Sequence, residues 1–255
     1  METALPTENL AQYHSKSQKA RVATEAWAAA NLYCPNCDSA HIEPAPVNAF
    51  AFDYDCAKCR NRFQLKSQSR MLGCKVVDSA YSKMIEALNC DRAPHFIFLH
   101  YAPDIWRVLT AILIPCFAIP KSAIEKRNPL AATARRAGWV GCNIVLTHIP
   151  VDARVPIISD GVPRRPSDVR SQFRRVRPFA DLSVKERGWT LDVLTAVREI
   201  GKERFGLEEI YGKEGELARM HPENRHVRDK IRQQLQVLRD KGFLEFVGRG
   251  EYRVR

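Results

Sequence analysis

The chain has 255 residues, of which 45% are hydrophobic and 27% charged, a composition that is typical of folded proteins and excludes a largely disordered chain. Its formal net charge of +11 favours binding to a nucleic acid or to an anionic membrane surface. The alternative explanation of this charge is a solvated basic surface that binds no partner. The N-terminus lacks the pattern of a secretory signal, and the longest apolar run, Val108 to Ile114, is much shorter than the ~20 residues of a membrane helix. We therefore expect a cytoplasmic protein.

The first predicted element is a helix from Ser15 to Leu32, because this stretch is rich in alanine and contains no proline or glycine. If the helix packs beside a catalytic sheet, Glu25 becomes a candidate accessory acid. A solvated or capping glutamate is the alternative.

Two Cys-x-x-Cys pairs follow the helix, and 18 residues separate them. This spacing is typical of a zinc ribbon, in which four thiolates surround one ion: Cys34, Cys37, Cys56 and Cys59. Four sulfur ligands leave no open coordination position, so we expect a structural zinc ion and not a catalytic one. Two pairs of ordinary buried cysteines are the alternative. The remaining cysteines stand singly, and we expect them to be small core residues: Cys74, Cys90, Cys116 and Cys142.

The residues on both sides of the second pair alternate and are rich in aromatics, which predicts a hairpin of strands Phe50 to Asp55 and Arg60 to Lys66 with the cysteines at its tip. Side chains two residues apart in a strand share a face, so Gln64 and Lys66 lie together. A turn near Lys58 then places Asp53 opposite Gln64.

An acid, an amide and a lysine on one side of a sheet suit phosphodiester hydrolysis. Oxygen atoms of Asp53 and Gln64 are the ligands that Mg²⁺ prefers, and Lys66 supplies positive charge near the reacting phosphate. The spacing of Asp53, ten residues, Gln64-x-Lys66 resembles the signature of PD-(D/E)xK nucleases, except that the middle residue is usually acidic. Asp55 or Glu25 could supply the missing carboxylate. A polar sheet face without catalysis is the alternative.

The pattern of residues in the middle of the chain predicts further helices and strands, which together with the first helix and the hairpin form an α/β core. Ser79 to Asn89 is an amphipathic helix pattern, and His95 to Tyr101 and Val108 to Ile114 are apolar strands of one sheet. A loop then carries cations beside an aromatic: Arg135, Arg136, Trp139 and Val140. The arginines could hold phosphates and the indole could stack on a base. A core role for Trp139 with surface arginines nearby is the alternative.

Residues Asp160 to Asp181 are rich in proline and arginine, so we expect a basic, linker-like segment that lies over the phosphate backbone or merely keeps the chain extended. It ends a first domain of residues 1–181.

Residues 182–255 predict a winged helix: helices at Trp189 to Ile200, from Phe205, and from about Pro222 to Lys241, then a hairpin with Gly-Arg-Gly at its tip. On the third helix an apolar seam is spaced four, four and three: Val227, Ile231, Leu235 and Leu238. This helix would enter the major groove of DNA. The candidate DNA-binding residues are Arg225, Arg228, Arg232, Gln233 and, at the tip of the wing, Arg249. A winged helix that contacts proteins is the alternative.

Three strings add a family resemblance: Ser17-Gln-Lys-Ala-Arg21 with Thr24 to Trp27, Pro129 to Asn143, and Lys230 to Lys241. Together with the four paired cysteines, they resemble the methyl-directed restriction endonucleases of the DpnI type, the Dam-replacing proteins, over nearly the whole chain.

The resemblance implies an α/β, PD-(D/E)xK-type nuclease domain with a four-cysteine zinc ribbon, followed by a winged-helix domain. It implies a type II endonuclease that cuts double-stranded GATC containing N6-methyladenine, uses magnesium and leaves a 5′ phosphate. Asp53 and Lys66 match the catalytic acid and lysine, Gln64 stands where a relative has glutamate, and Trp139 falls in the segment of the methyladenine pocket. We expect a monomer, associated with the nucleoid when bound to DNA. A zinc-ribbon, winged-helix regulator with a degenerate nuclease site is the alternative function.

Overall fold

The computed structural model of this chain describes residues 1–8, 10–46, 49 and 52–255. Its N-terminal part contains three described helices: α1 Lys16–Asn31, α2 Tyr81–Asn89 and α3 Pro166–Val176. Its described strands are β1 Glu43–Pro44, β2 Tyr54–Asp55, β3 Arg62–Gln68, β4 Lys75–Ala80, β5 His95–Ala102, β6 Arg107–Ile114, β7 Ile124–Lys126, β8 Gly141–Val145, β9 Val155–Ser159 and β10 Val162–Pro163.

A seven-stranded sheet in the order β1-β2-β3-β5-β6-β9-β10 forms the centre of this part. Its only parallel pair among the described strands is β3 with β5, and β4 and α2 make the crossover that a parallel pair requires. The residues of β5 are almost all buried, as the apolar run His95 to Tyr101 predicted. Helix α1 packs against β3, where the hydroxyl groups of Thr24 and Ser67 lie 3.1 Å apart. A smaller sheet has the order β4-β8-β7.

The core of the main sheet contains one histidine. His95 is buried among the rings of Phe63, Phe117 and Phe173, and its Nδ1 accepts a hydrogen bond from the backbone N–H of Cys116 at 3.0 Å. Burial, aided by the charge of Arg177, lowers the pKa of His95 to about 3. The ring is therefore neutral in the folded protein at physiological pH.

Most elements predicted from the sequence are confirmed, with small shifts of their ends. The first helix begins one residue after Ser15, whose side chain caps it. The second begins at Tyr81 rather than Ser79, because Ser79 and Ala80 complete strand β4. Of the strand predicted before the second cysteine pair, Phe50 and Ala51 lie outside the described residues, and the regular pairing is confined to Tyr54–Asp55.

The prediction of a linker-like segment from Asp160 to Asp181 was wrong. Pro163 ends strand β10, Pro166 opens helix α3, and a 3₁₀ helix, Arg177–Asp181, follows it. One face of α3 is completely buried, at Val169, Phe173 and Val176. The apolar positions are spaced by four and three, as on a helix, and the many arginines between them obscured that period.

The prediction that all four single cysteines are core residues was half wrong. Cys142 is buried and Cys116 is half-buried, but Cys74 and Cys90 are exposed. Cys74 precedes strand β4 and Cys90 follows helix α2, so both stand at element ends, where the chain faces solvent.

The C-terminal part consists of packed helices and a wing, as predicted. Its described elements are α4 Val184–Ile200, β11 Arg204–Gly206, α5 Leu207–Tyr211, α6 Glu214–Met220, α7 Val227–Asp240, β12 Leu244–Gly248 and β13 Glu251–Val254. Helix α7 begins later than Pro222, but its predicted apolar seam is buried: Val227, Ile231, Leu235 and Leu238. Strands β12 and β13 pair with Arg249 and Gly250 at their turn, and β11 completes a three-stranded sheet.

Polar contacts join the two parts of the chain. The buried carboxylate of Asp192 on α4 accepts a hydrogen bond from Ser122 Oγ at 2.5 Å and pairs with His221 Nε2 at 2.8 Å. Arg198 on α4 also binds Asp152 through two nitrogens, at 2.5 and 2.8 Å. These contacts join α4 to the N-terminal part of the chain. None of the described helices has the length and apolar character needed to cross a membrane.

Candidate functional site

The four paired cysteines converge. Their sulfur atoms all lie within 4.8 Å of one another, with Cys34 Sγ 3.4 Å from Cys59 Sγ and Cys37 Sγ 3.6 Å from Cys56 Sγ. A zinc ion bound tetrahedrally by four thiolates at ~2.3 Å requires sulfur–sulfur distances of roughly 3.8 Å. The donor set and its spacing therefore fit a structural zinc ion, which would be held by these four residues and would cross-link the two pairs.

The backbone around Cys56 favours its thiolate form. Burial raises the pKa of this thiol, but the backbone N–H groups of Cys59 and Lys58 point at its sulfur, and together with the neighbouring cysteines they lower the pKa to about 7. Thiolates are the form that binds zinc. Helix α3 is hydrogen-bonded to the loop of the first cysteine pair, because Arg170 donates to the carbonyl oxygens of Cys34 at 3.1 Å and Ser39 at 2.9 Å.

The cysteine cluster holds the turn from which the candidate catalytic strand leaves. Across the turn Asp55 pairs with Arg62 and Tyr54 with Phe63, so Asp53 stands level with Gln64. The carboxylate of Asp53 is held by the backbone: its Oδ2 accepts a hydrogen bond from the N–H of Leu65 at 2.8 Å. Leu65 lies between Gln64 and Lys66, so Asp53 is anchored at the edge of β3 beside both.

Asp53 shares a cleft with Glu25. The cleft has a volume of about 550 Å³ and lies between α1 and the β2 end of the sheet, with Arg21, Glu25, Phe52, Asp53 and Tyr54 among its lining residues. Burial raises the pKa of Glu25, and the negative charge of Asp53 raises it further, while Arg21 lowers it. The two carboxylates are therefore close enough to interact. Asp55, the other candidate accessory acid, does not line this cleft; it lies between Glu43 and Arg62 in the sheet.

Oxygen ligands for a hard cation are few here. Within the part of the chain that the structure describes, the cysteine cluster is the single group of three or more acidic, histidine or cysteine side chains placed to hold an ion. Asp53 and Glu25 offer two carboxylates in one cleft, while Gln64, which stands level with Asp53, has its amide in the lining of a second cleft. This small donor set fits Mg²⁺, which keeps most of its waters and takes one or two protein carboxylates.

Lys66 does not pair with Asp53. Its ammonium Nζ lies 2.6 Å from Oδ1 of Asp78 on strand β4, a carboxylate of which 1% is exposed. Sequence reasoning missed Asp78, although one signal was present: it is an acid on the same face of strand Lys75 to Ala80 as the apolar residues Val76 and Ala80. A buried acid of this kind requires a charged or hydrogen-bonding partner.

A second cleft lies on the Gln64 face of β3 and has a volume of about 430 Å³. Its apolar lining includes Met84, Phe96 and Trp139. Its polar lining comes from Gln64, Asp78, Ser79, Lys83 and Arg136. The structure thus brings the loop of Trp139 and the strand of Gln64 to one cavity, and leaves Asp53 and Glu25 in the other.

Trp139 is half-buried and is not a core anchor. Its ring lies against Gly141, where an added Cβ would come within 2.8 Å of two ring carbons, so this glycine makes room for the indole. The guanidinium of Arg136 lies over the same ring, 4.8 Å from its centroid. Arg135 is exposed, and Val140 is half-buried and accepts a backbone hydrogen bond from Tyr81 at 3.1 Å.

The candidate DNA-binding residues of the C-terminal part lie on the surface. Arg225, Arg228, Arg232, Gln233 and Arg249 are all exposed. Three of them already have partners: Arg228 binds Glu214 at 2.7 Å, Arg232 donates to the hydroxyl of Tyr211, and Gln233 Oε1 accepts from Nζ of Lys230 at 2.7 Å. Both guanidinium groups lie over the ring of Tyr211, which orients them on one face of α7.

Two family models match the chain. The model described as the Dam-replacing family, DpnI, matches residues 1–181, and the model described as the Dam-replacing HTH domain matches residues 185–254. Together they cover almost the whole chain in the same order, which confirms the resemblance carried by the cysteine pairs and the three sequence strings.

Proposed function

Because the chain belongs to the Dam-replacing family and carries that family's HTH domain, we propose that it is a type II, methyl-directed restriction endonuclease. Its substrate is double-stranded DNA at GATC sites that contain N6-methyladenine, and its reaction is magnesium-dependent hydrolysis of a phosphodiester. One observation carries the proposal of catalysis: the Asp53 carboxylate is anchored on the backbone between Gln64 and Lys66 and shares a cleft with Glu25.

In this proposal Asp53 and Glu25 would hold Mg²⁺ in their cleft, and Gln64, level with Asp53 but lining the second cleft, would turn its amide oxygen toward the ion as a further ligand. The N-terminal part has the PD-(D/E)xK-type architecture. The bound ion supplies an activated water and neutralises charge on the scissile phosphate. The Leu65 N–H keeps Asp53 in one orientation, so the carboxylate does not have to be ordered when DNA binds. Lys66 places its positive charge near the phosphate that is attacked.

Asp78 is the positioning residue for Lys66. A lysine side chain has a flexible four-carbon stem and needs a fixed partner to present its ammonium in one place. The buried carboxylate at 2.6 Å provides that partner, and it keeps the ammonium on the Gln64 face of β3. The lysine remains a quarter exposed, so it can still meet a phosphate oxygen.

The cleft beside Gln64 and Trp139 suits the methylated base. Its volume of about 430 Å³ is in the range of small-molecule sites. The indole of Trp139 and the side chains of Met84 and Phe96 can enclose a ring and its methyl group, while Ser79 offers a hydroxyl to the base edge. Arg136 on the indole is placed to contact a nearby phosphate.

The winged helix is proposed to bind the same DNA. The N-terminal residues of α7 enter the major groove, with Arg232 and Gln233 at base edges and Arg225 and Arg228 near the backbone. Arg249 at the wing tip contacts the backbone or the minor groove. The net charge of +11 supports this electrostatic contribution.

A cleavage assay with matched plasmids tests the proposal. The protein is incubated with Mg²⁺ and plasmid DNA from hosts with and without adenine methylation. We expect cutting of the methylated plasmid alone, at GATC, and loss of cutting in Lys66→Ala.

A second candidate is a non-catalytic DNA-binding regulator, and the replacement of the usual acid by Gln64 favours it. Binding of methylated DNA without any cutting, unchanged by Lys66→Ala, would support this regulator and overturn the nuclease.

A further inference from the structure

A third groove lies beyond the catalytic strand, at the end of β3 that is distant from the cysteines. It runs between the first turns of α1 and the residues that follow β3, and its volume is about 560 Å³. Arg21 lines both this groove and the cleft of Asp53 and Glu25, so the two cavities adjoin along α1.

The lining of this groove is cationic and rich in donors. Three basic side chains, Lys16, Arg21 and Arg70, surround it together with the hydroxyl groups of Ser17, Ser67 and Ser69, and no carboxylate is among its described lining residues. Lys16 and Arg70 form no ion pair within the described residues, while Arg21 lies 3.7 Å from Glu25.

The groove is also built on fixed parts of the fold. Thr24 on α1 and Ser67 on β3 are joined through their hydroxyl oxygens at 3.1 Å. Gln68 closes the turn after β3, because its amide nitrogen donates to the carbonyl oxygens of Arg70 at 2.9 Å and Met71 at 3.1 Å. The ring of buried Tyr101, stacked on Trp106, forms part of the floor. These contacts tie both walls of the groove to α1 and β3.

We infer that this groove binds a backbone phosphate of the DNA strand, next to the phosphate that enters the Asp53 cleft. The inference rests on the proposed function in one respect, that the ligand is duplex DNA. Three cations with hydroxyl donors match the charge and the acceptor oxygens of a phosphodiester. The adjoining cavities then have opposite roles. The cleft of Asp53 and Glu25 binds a hard cation through carboxylates, and the third groove binds an anion through basic side chains.

This arrangement sets the register of the strand. A phosphate held by Lys16, Arg21 and Arg70 leaves its neighbour along the strand close to Asp53, so the groove selects which phosphodiester reaches the catalytic residues. Arg21, with its guanidinium near Glu25, marks the boundary between the two phosphates.

Equilibrium binding tests the inference without cleavage. The double variant Lys16→Gln/Arg70→Gln removes two exposed charges from the groove. A matched control, Lys121→Gln/Lys185→Gln, removes two exposed lysines that do not line it. Binding to a duplex oligonucleotide with one methylated GATC is measured by fluorescence anisotropy without added Mg²⁺ at several salt concentrations, with the zinc ion left in place. The plot of log K against log salt has a negative slope. We expect it to become less steep by about 0.9 in the groove variant, the value for one phosphate contact, and to stay unchanged in the control.

Neutral linkages locate the phosphate. A series of duplexes carries one methylphosphonate at each successive position around GATC. We expect wild-type binding to weaken at one position near the cut, and the groove variant alone to become insensitive at that position while it keeps its sensitivity elsewhere. Equal slopes in wild type and groove variant, or an unchanged methylphosphonate profile, would overturn the inference.

The two hypotheses fail separately. If the protein binds DNA but never cuts it, the salt slopes and the methylphosphonate profile still decide whether the groove holds a phosphate. Thermal unfolding of both double variants should match the wild type, since all four side chains are exposed. Should the double variant unfold, Arg70→Gln alone replaces it in both measurements.

Discussion

The ammonium of Lys66 lies 2.6 Å from the carboxylate of Asp78, while the carboxylate of Asp53 is bound by the backbone N–H of Leu65. Each of the two charged groups proposed to act on the phosphate is therefore held by a different neighbour rather than by the other. Neither group is neutralised by the other, so no direct Asp53–Lys66 pair has to break before a cation binds Asp53 or a phosphate meets Lys66.

Asp78→Asn should slow cleavage without weakening DNA binding. The amide keeps the shape but loses the charge that fixes the lysine ammonium, and the loss of such a supporting group typically costs about 10- to 100-fold in activity. Single-turnover cleavage and anisotropy measure the two effects separately. In a double-mutant cycle, Asp78→Asn should add nothing to Lys66→Ala if it acts through Lys66. Additive losses in the double variant would assign Asp78 a role of its own.

Gln64→Glu should strengthen magnesium binding at the proposed site. It restores a third carboxylate beside Asp53 and Glu25, and affinity for a hard cation rises with the number of charged oxygen ligands. We expect the Mg²⁺ concentration for half-maximal cutting to fall several-fold. Gln12→Glu is the control: the same change at an exposed glutamine that lines neither of the two clefts nor the third groove. An equal shift in both variants would count against Gln64 as a metal ligand.

Removal of zinc should unfold the hairpin and abolish cutting. Cys37→Ser takes away one of the four sulfurs that converge within 4.8 Å, and the turn between β2 and β3 then loses its cross-link. Zinc content by elemental analysis, hydrogen-exchange protection at residues 53–66 and cleavage activity should all fall. Cys90→Ser, at an exposed cysteine outside the cluster, should change none of them. Full activity after verified zinc loss would contradict this role.

Arg232→Ala should weaken discrimination between the correct site and a site with one altered base. A bidentate contact to a base edge is worth about 1–3 kcal/mol. Arg239→Ala serves as the control, since Arg239 lies further along α7, in its last turn, near the end that does not enter the groove in this type of domain. Competition binding with altered sites measures the difference. A loss that is uniform over all sequences would place Arg232 on a phosphate instead.

Stability should fall in acid because of His95. Its pKa is lowered to about 3 in the folded protein, whereas the unfolded chain has the ordinary value near 6.5. Between these values the unfolded state binds the proton and the folded state does not. The free energy of unfolding therefore rises with pH across this window, with a slope from this group approaching about 1.4 kcal/mol per pH unit. His95→Asn keeps an acceptor for the Cys116 N–H and removes the titration. Denaturant unfolding at several pH values should show a shallower dependence in this variant.

Much of the architecture was readable from local patterns. The cysteine spacing predicted the cluster, alternation predicted the hairpin and the level of Asp53 with Gln64, and the four-four-three apolar spacing predicted the seam of α7. These features depend on residues close in the chain, whose geometry the periods of strand and helix determine. The basic stretch before the winged helix was misread, because a high density of arginine obscured the buried positions Val169, Phe173 and Val176.

By itself the sequence determined the family, the convergence of the paired cysteines and the order of helices and strands, because the spacing of residues along the chain indicates each of them. Tertiary structure alone decided that Asp78 holds Lys66, that Trp139 rests on Gly141 beside Gln64, and that Arg21 borders two clefts of opposite charge. These contacts join residues from different strands, loops and helices. Their geometry follows from how the two sheets and α1 pack, and no local period encodes that packing.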